Sequence, residues 1–345
     1  MAERHEIKGL DTLRFVAASI VALGNGAAFP LADEIGKHGA WQRVLTGVWG
    51  VSFNGVAAVI VFFVISGFCI HYGPATGAPY RTGPFWVRRG VRIAGPLLGA
   101  MALATALGHR AEGALGAVLW SLYCELIYYA LYPLLRIAFR RLGLANTVLI
   151  SLLVAGAMIV VGWRLPYYWS FTIWLTWLVG LPAWLLGCLL AEQVAAIGVA
   201  GAGNVWAWRA GLWTYATVAL AVFFHAPIKA GLPLLLFPFQ LLIYLWIMAE
   251  MNHFERRGTS RLLEWCGRWS YSLYLVHNIV ISATPISPTA LVTGWMLRVA
   301  LILGGSLAFY AVVEAPSHWL ARTASRRLTS SLAGRRPAGA QLAVP

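Results

Sequence analysis

The sequence predicts an all-α fold: a polytopic transmembrane helix bundle of about ten spans with both termini cytoplasmic. Three observations predict it. Of the 345 residues, 60% are hydrophobic and only 11% are charged, and the mean hydropathy is +0.72, which leaves too little polar surface for a water-soluble domain of this length. The apolar residues fall in runs of roughly 17 to 25, the length a hydrocarbon core demands. The basic residues gather in the connections on one side of those runs.

The first run, 10–31, follows Lys8, contains Arg14 and ends among small residues around Ala27, so it has the look of a signal peptide. Nine further runs follow it, and an uncleaved first helix is expected. Those runs lie at 50–72, 92–108, 115–138, 145–163, 171–191, 206–225, 232–250, 269–287 and 294–316. Each is read as a helix, because backbone polar groups in lipid must be satisfied within their own segment unless a barrel closes, and strand-like alternation is absent.

With the N-terminus inside, twenty of the 26 Lys and Arg fall on the cytoplasmic side. Lys37, Arg43, Arg110, Arg164 and Lys229 fall outside, and Arg298 lies within the last span. That asymmetry sets the orientation. Residues 1–320 are read as one membrane domain, and 321–345, rich in Arg, Ser, Ala and Gly, as a flexible basic cytoplasmic tail. No internal repeat suggests the inverted halves of a transporter.

Composition also narrows the partners. The formal net charge of +14 is dispersed among apolar segments, without the single basic face that nucleic acid requires. Seventeen Trp and thirteen Tyr suit the many membrane interfaces of such a chain. Cys69, Cys124, Cys188 and Cys266 stand singly and read as small buried hydrophobes.

Ionisable and amide groups inside spans are costly and therefore candidates for function. Arg14 and Asn25 are eleven residues apart, about 16 Å along one helical face, which places Asn25 near mid-membrane. Glu125 in SLYCELIYY lies eleven residues before Arg136, His277 nine after Arg268, and Glu314 eight before Arg322. All four reach comparable depth. Bland readings stand beside these: Asn25 as interhelical glue, His277 as a helix-contact histidine, Glu314 as an anchor next to Pro316. Glu125 must be paired or protonated in any case. At the cytoplasmic mouth, FWVRRGVRIAGP places Arg88, Arg89 and Arg92 at the start of the third span. Planar guanidinium forks beside a helix N-terminus suit an anionic ligand, although arginines flank membrane spans generally.

The segments LDTLRFVAA, FFVISGF, RRGVRI, LWSLYCELIYYALYP, GRWSYSLYLVH and VVEAP, in that order, make the chain resemble the acyltransferase-3 family of integral membrane O-acyltransferases. The resemblance implies transfer of an acyl group, often acetyl, from cytosolic acyl-coenzyme A to a hydroxyl of a sugar, glycolipid or other acceptor, in what is expected to be a bacterial inner membrane. It implies that Arg14 is the arginine of the family's Arg-x10-His motif and that Arg89 and Arg92 form its Arg-x-x-Arg motif, serving coenzyme A phosphates or the acyl donor with Arg88 beside them. Glu125 matches the carboxylate of its SLxxE segment, and His277 a frequent histidine of YSLYLxH. Direct attack by the hydroxyl needs no metal.

Two features depart from the family pattern. Asn25 stands where the family has a histidine taken to be the base, and a carboxamide cannot accept a proton at pH 7. Three readings follow: another base serves, with Glu125 or His277 at matching depth; the chain is an inactivated variant; or it binds acyl-coenzyme A or lipid without turnover. Between Ile93 and Trp120 there is room for only one span and a short turn, where the family has a longer excursion. A transporter or channel is the competing reading from another class. It accounts for the mid-membrane carboxylate but not for the arginine pair.

Overall fold

The computed structural model describes residues 7–36, 38–199 and 203–334, and among them every regular element is helical. Arg4, Lys37, Arg335 and Arg336, which entered the charge asymmetry, lie outside the described residues.

Helix α1 (Leu10–Ala22) continues into a π-helical turn, Leu23–Ala27, and is followed by α2 (Leu31–Ile35), α3 (Ala40–Val51) and α4 (Gly55–Ala75). Then come α5 (Thr82–Ala106), α6 (Ala111–Leu142), α7 (Leu144–Val161), α8 (Thr176–Ile197), α9 (Val205–His225), α10 (Leu232–Leu236) and α11 (Phe239–Arg257). The chain closes with α12 (Arg261–Gly267), α13 (Ser270–Ala283), α14 (Leu291–Phe309), a second π turn at Tyr310–Glu314, and α15 (Ala315–Gly334). A helix occupies each of the ten intervals read from the sequence. Six helical stretches among the described residues are long and apolar enough to cross a membrane: Ala40–Ala75, Ala111–Leu142, Leu144–Val161, Thr176–Ile197, Leu232–Arg257 and Pro288–Ser330.

Helix α4 is the centre of the bundle. Asn54 caps it, accepting from the Ala57 amide at 3.0 Å while its own amide donates to Ala216 of α9 at 3.0 Å. Its Val64, Ile65 and Phe68 are buried against Trp184, Leu185 and Cys188 of α8 and Tyr128 and Tyr132 of α6. Helices α4 and α8 approach so closely that a Cβ on Gly67 would stand 1.9 Å from the Trp184 carbonyl oxygen, and one on Gly187 2.0 Å from that of Val64. Small residues permit this backbone contact, as membrane helix pairs require.

An ion pair between a partly exposed guanidinium and a fully buried carboxylate ties α9 to α11. Arg209 donates from Nε and Nη2 to the two carboxylate oxygens of Glu250 at 2.7 and 2.8 Å, and Trp246 Nε1 donates to Glu250 at 2.8 Å. Glu250 has no exposed surface. Removing the guanidinium strands a buried carboxylate, so Arg209→Ala is expected to cost about 3–5 kcal/mol, whereas replacing both partners by methionine costs much less. Thermal unfolding of the detergent-solubilised variants measures the difference.

Several boundaries differ from the sequence reading. Helix α5 begins at Thr82, with Pro84 in its first turn, so Arg88, Arg89 and Arg92 sit two to three turns inside the helix. The free amides of a helix N-terminus are therefore not beside them. Helix α3, not anticipated, exposes Trp41, Val44, Leu45 and Val48 on one face. Helix α15 carries the chain to Gly334, so the first part of the stretch read as a tail is helical. Ser325 Oγ donates to Pro84 at 2.9 Å and Arg81 to Thr329 at 3.2 Å, seating α15 on the start of α5.

Candidate functional site

Arg14 from α1, Arg89 and Arg92 from α5, and Glu125 from α6 line one cavity of about 680 Å³, within the ~300–1,000 Å³ typical of ligand sites. Helix α4 contributes Phe62, Phe63, Ser66 and Cys69 to its wall, and α13 contributes Tyr271 and Tyr274. Arg268, Glu314, His318 and Arg322 complete the polar lining with Asp11. Five guanidinium groups thus face three carboxylates, which favours an anionic occupant.

The arginines differ in their partners. Arg14 is held by Asp11 one turn before it, and its Nη2 contacts Cys69 Sγ at 3.0 Å. Arg89 lies over the Tyr129 ring, 5.8 Å from its centroid, while its Nε is buried and makes no hydrogen bond. An orphaned guanidinium donor in a cavity wall is poised for an acceptor such as phosphate. Arg88 is exposed and does not line the cavity.

The carboxylates are held from neighbouring helices. Glu125 Oε1 accepts from Ser66 Oγ at 2.7 Å and from the Tyr129 hydroxyl. Ser66 in turn accepts from Trp184 Nε1 at 3.3 Å, which couples Glu125 to the α4–α8 packing. Glu314 Oε2 accepts from the Ser272 amide at 3.0 Å and its hydroxyl at 2.5 Å. The second π turn delivers Glu314 to this position, and such turns recur at functional sites.

Asn25 and His277 form a separate pair beside the cavity and do not line it. His277 Nδ1 lies 2.9 Å from the Leu273 carbonyl and must donate to it, so Nε2 accepts from Asn25 Nδ2 at 3.0 Å. His277 is fully buried. Tyr274, one turn earlier on α13, stands between, with its ring 6.2 Å from the imidazole and its hydroxyl 2.6 Å from Ser121 Oγ. Asn25 sits in the first π turn, whose extra residue rotates it relative to Arg14, and Gly26 supplies the φ of 115° that ends the helix. Arg298 Nη1 donates to the Gly26 carbonyl at 3.2 Å and Nε to the Thr284 carbonyl at 3.1 Å, clamping this turn to the end of α13. Trp295 Nε1 secures Ala27 at 3.0 Å.

The four polar groups read as one layer therefore divide: Glu125 and Glu314 share the cavity, and Asn25 pairs with His277. Sequence reasoning did not single out Ser66, Tyr129 or His318, and it read Cys69 as a small buried hydrophobe, whereas Cys69 is partly exposed to the cavity and contacts Arg14. His318 had a signal, four residues beyond Glu314 on the same helical face. Ser66 and Tyr129 had none, since their roles depend on helix pairing. Among the described residues no group of three His, Cys, Asp or Glu is placed to hold a metal ion.

A family model described as an acyltransferase domain matches residues 7–315 of the chain. No curated protein and no solved structure matches it.

Proposed function

The chain belongs to the acyltransferase-3 family, and from that premise we propose that it is a membrane O-acyltransferase taking an acyl group, acetyl in the simplest case, from acyl-coenzyme A to a hydroxyl of a sugar, glycolipid or related acceptor. The observation that carries this reading is the single cavity joining Arg14, Arg89 and Arg92 to Glu125. Phosphates of the donor pair with the guanidinium groups, Arg88 attracting the donor from outside the cavity. The acyl thioester then extends along the apolar wall of Phe62 and Phe63 toward Glu125.

The charge asymmetry of the connections supports an orientation with the termini and donor entrance on the cytosolic side, and the proposed setting is a bacterial inner membrane. In the cavity the acceptor oxygen attacks the thioester carbonyl carbon, the carbon–sulfur bond breaks, and ester and free coenzyme A result. Glu125, fixed by Ser66 and Tyr129, orients the hydroxyl. Asn25 cannot take its proton, and His277 has both ring nitrogens bonded.

The test is labelled acetyl-coenzyme A presented to the purified protein with alkyl glycosides as acceptors. An alkali-labile labelled ester is the expected product. The carboxamide at position 25 favours a second reading, a donor-binding protein without turnover, which predicts saturable coenzyme A binding and no ester even from Asn25→His. Substrate uptake into proteoliposomes that needs no acyl donor would instead support a transporter.

A further inference from the structure

Acyl transfer needs a group to take the hydroxyl proton, and the cavity holds one that neither the motifs nor the mechanism above uses. Resting on the acyltransfer reading, the geometry points to His318, oriented by Glu314, as the general base of this chain. Among the described residues His318 is the one histidine that lines the cavity. Its side chain is only 20% exposed, and its Nε2 is buried with no hydrogen-bond partner.

Nε2 stands 3.5 Å from Glu314 Oε1, the carboxylate oxygen that Ser272 leaves unused. Shortening by about 0.5 Å makes this an ordinary N–H···O bond, and catalytic hydrogen bonds commonly tighten only when substrate is bound. With Nε2–H donated to Glu314, Nδ1 carries the free lone pair. Ser272 holds Glu314 in place through two bonds, so the imidazole has a fixed support, the arrangement of a base oriented by a carboxylate. Arg89, Arg92 and Arg322 line the same cavity as the imidazole.

In the step itself the acceptor oxygen bonds to the thioester carbonyl carbon while its proton passes to His318 Nδ1. The carbon–sulfur bond then breaks, and the imidazolium returns the proton to the departing thiolate. Nothing is oxidised or reduced, and no further reactant is consumed.

The experiment compares the unaltered protein, His318→Gln, His318→Ala, Asn25→His and the double variant of His318→Gln with Asn25→His, with labelled acetyl-coenzyme A and alkyl glycosides. Coenzyme A binding is measured on each. The base role predicts that His318→Gln lowers kcat about a hundredfold or more with donor binding unchanged. It also predicts that millimolar imidazole restores turnover to His318→Ala, and that His318→Gln costs far less once position 25 carries a histidine. Transfer by His318→Gln within twofold of the unaltered protein overturns the proposal, as does a failure of imidazole to rescue an alanine variant that still binds donor. Absence of label transfer from all five proteins, with or without coenzyme A binding, overturns the acyltransfer reading itself.

Discussion

Glutamine at both Arg89 and Arg92 is expected to lower kcat/KM for the acyl donor by on the order of 10²–10⁴, because each lost charge-assisted hydrogen bond to phosphate removes about 1.5–3 kcal/mol. Both side chains line the cavity and lie three apart on one face of α5. Arg89 also has a buried Nε with no partner in the protein. The loss should fall on KM, since phosphate contacts are made equally in the ground and transition states. Arg326, exposed on α15, is the comparison: Arg326→Gln should change kcat/KM by less than about twofold, as expected of a screened surface charge. Steady-state kinetics with varied acetyl-coenzyme A separate the two.

Gly67→Ala is expected to destabilise the fold by about 3 kcal/mol, and Gly67→Leu to prevent folding, because the added Cβ meets the Trp184 carbonyl at 1.9 Å. Backbone on both sides leaves no flexible side chain to yield. Gly116 in α6 provides the opposite sign. A Cβ there meets nothing within 4 Å, so Gly116→Ala should be neutral or stabilising by up to about 1 kcal/mol. Thermal denaturation in detergent, followed by the monodisperse fraction on size exclusion, reads both. The Gly67 lesion has a functional echo, since Ser66 and Cys69 flank it and both face the cavity.

Apolar run length located a helix in each of the ten intervals, because lipid forces the backbone into helices and hydrocarbon thickness sets their span, but it missed α3 and the basic α15. Boundaries were less legible. Pro84 fits the first turn of a helix without breaking it, so α5 starts ten residues before the expected 92. The arginine cluster could be read as a ligand site from its spacing, and Arg89 and Arg92 do share a cavity with Arg14 and Glu125. Depth counting from flanking arginines grouped Glu125 with Glu314, and the two do line one cavity, Glu314 from within the second π turn. It did not distinguish Asn25 from them, because the π turn at Leu23–Ala27 changes the facing of residue 25, and hydropathy carries no trace of such a turn. The support for Glu125 from Ser66 and Tyr129, and the Arg298 clamp on Gly26, arise from tertiary approach alone.

The central claim is that an acyl-coenzyme A donor occupies the arginine-lined cavity between α1, α4, α5, α6 and α13. A photoreactive acyl-coenzyme A, irradiated with the purified protein and mapped by peptide mass spectrometry, tests it most directly. Adducts should fall on Phe62, Phe63, Tyr271 or Tyr274, disappear when excess coenzyme A competes, and be lost when Arg89 and Arg92 are both glutamine. Adducts confined to lipid-facing residues such as Leu153 and Val160, or labelling that coenzyme A leaves undiminished, would contradict it.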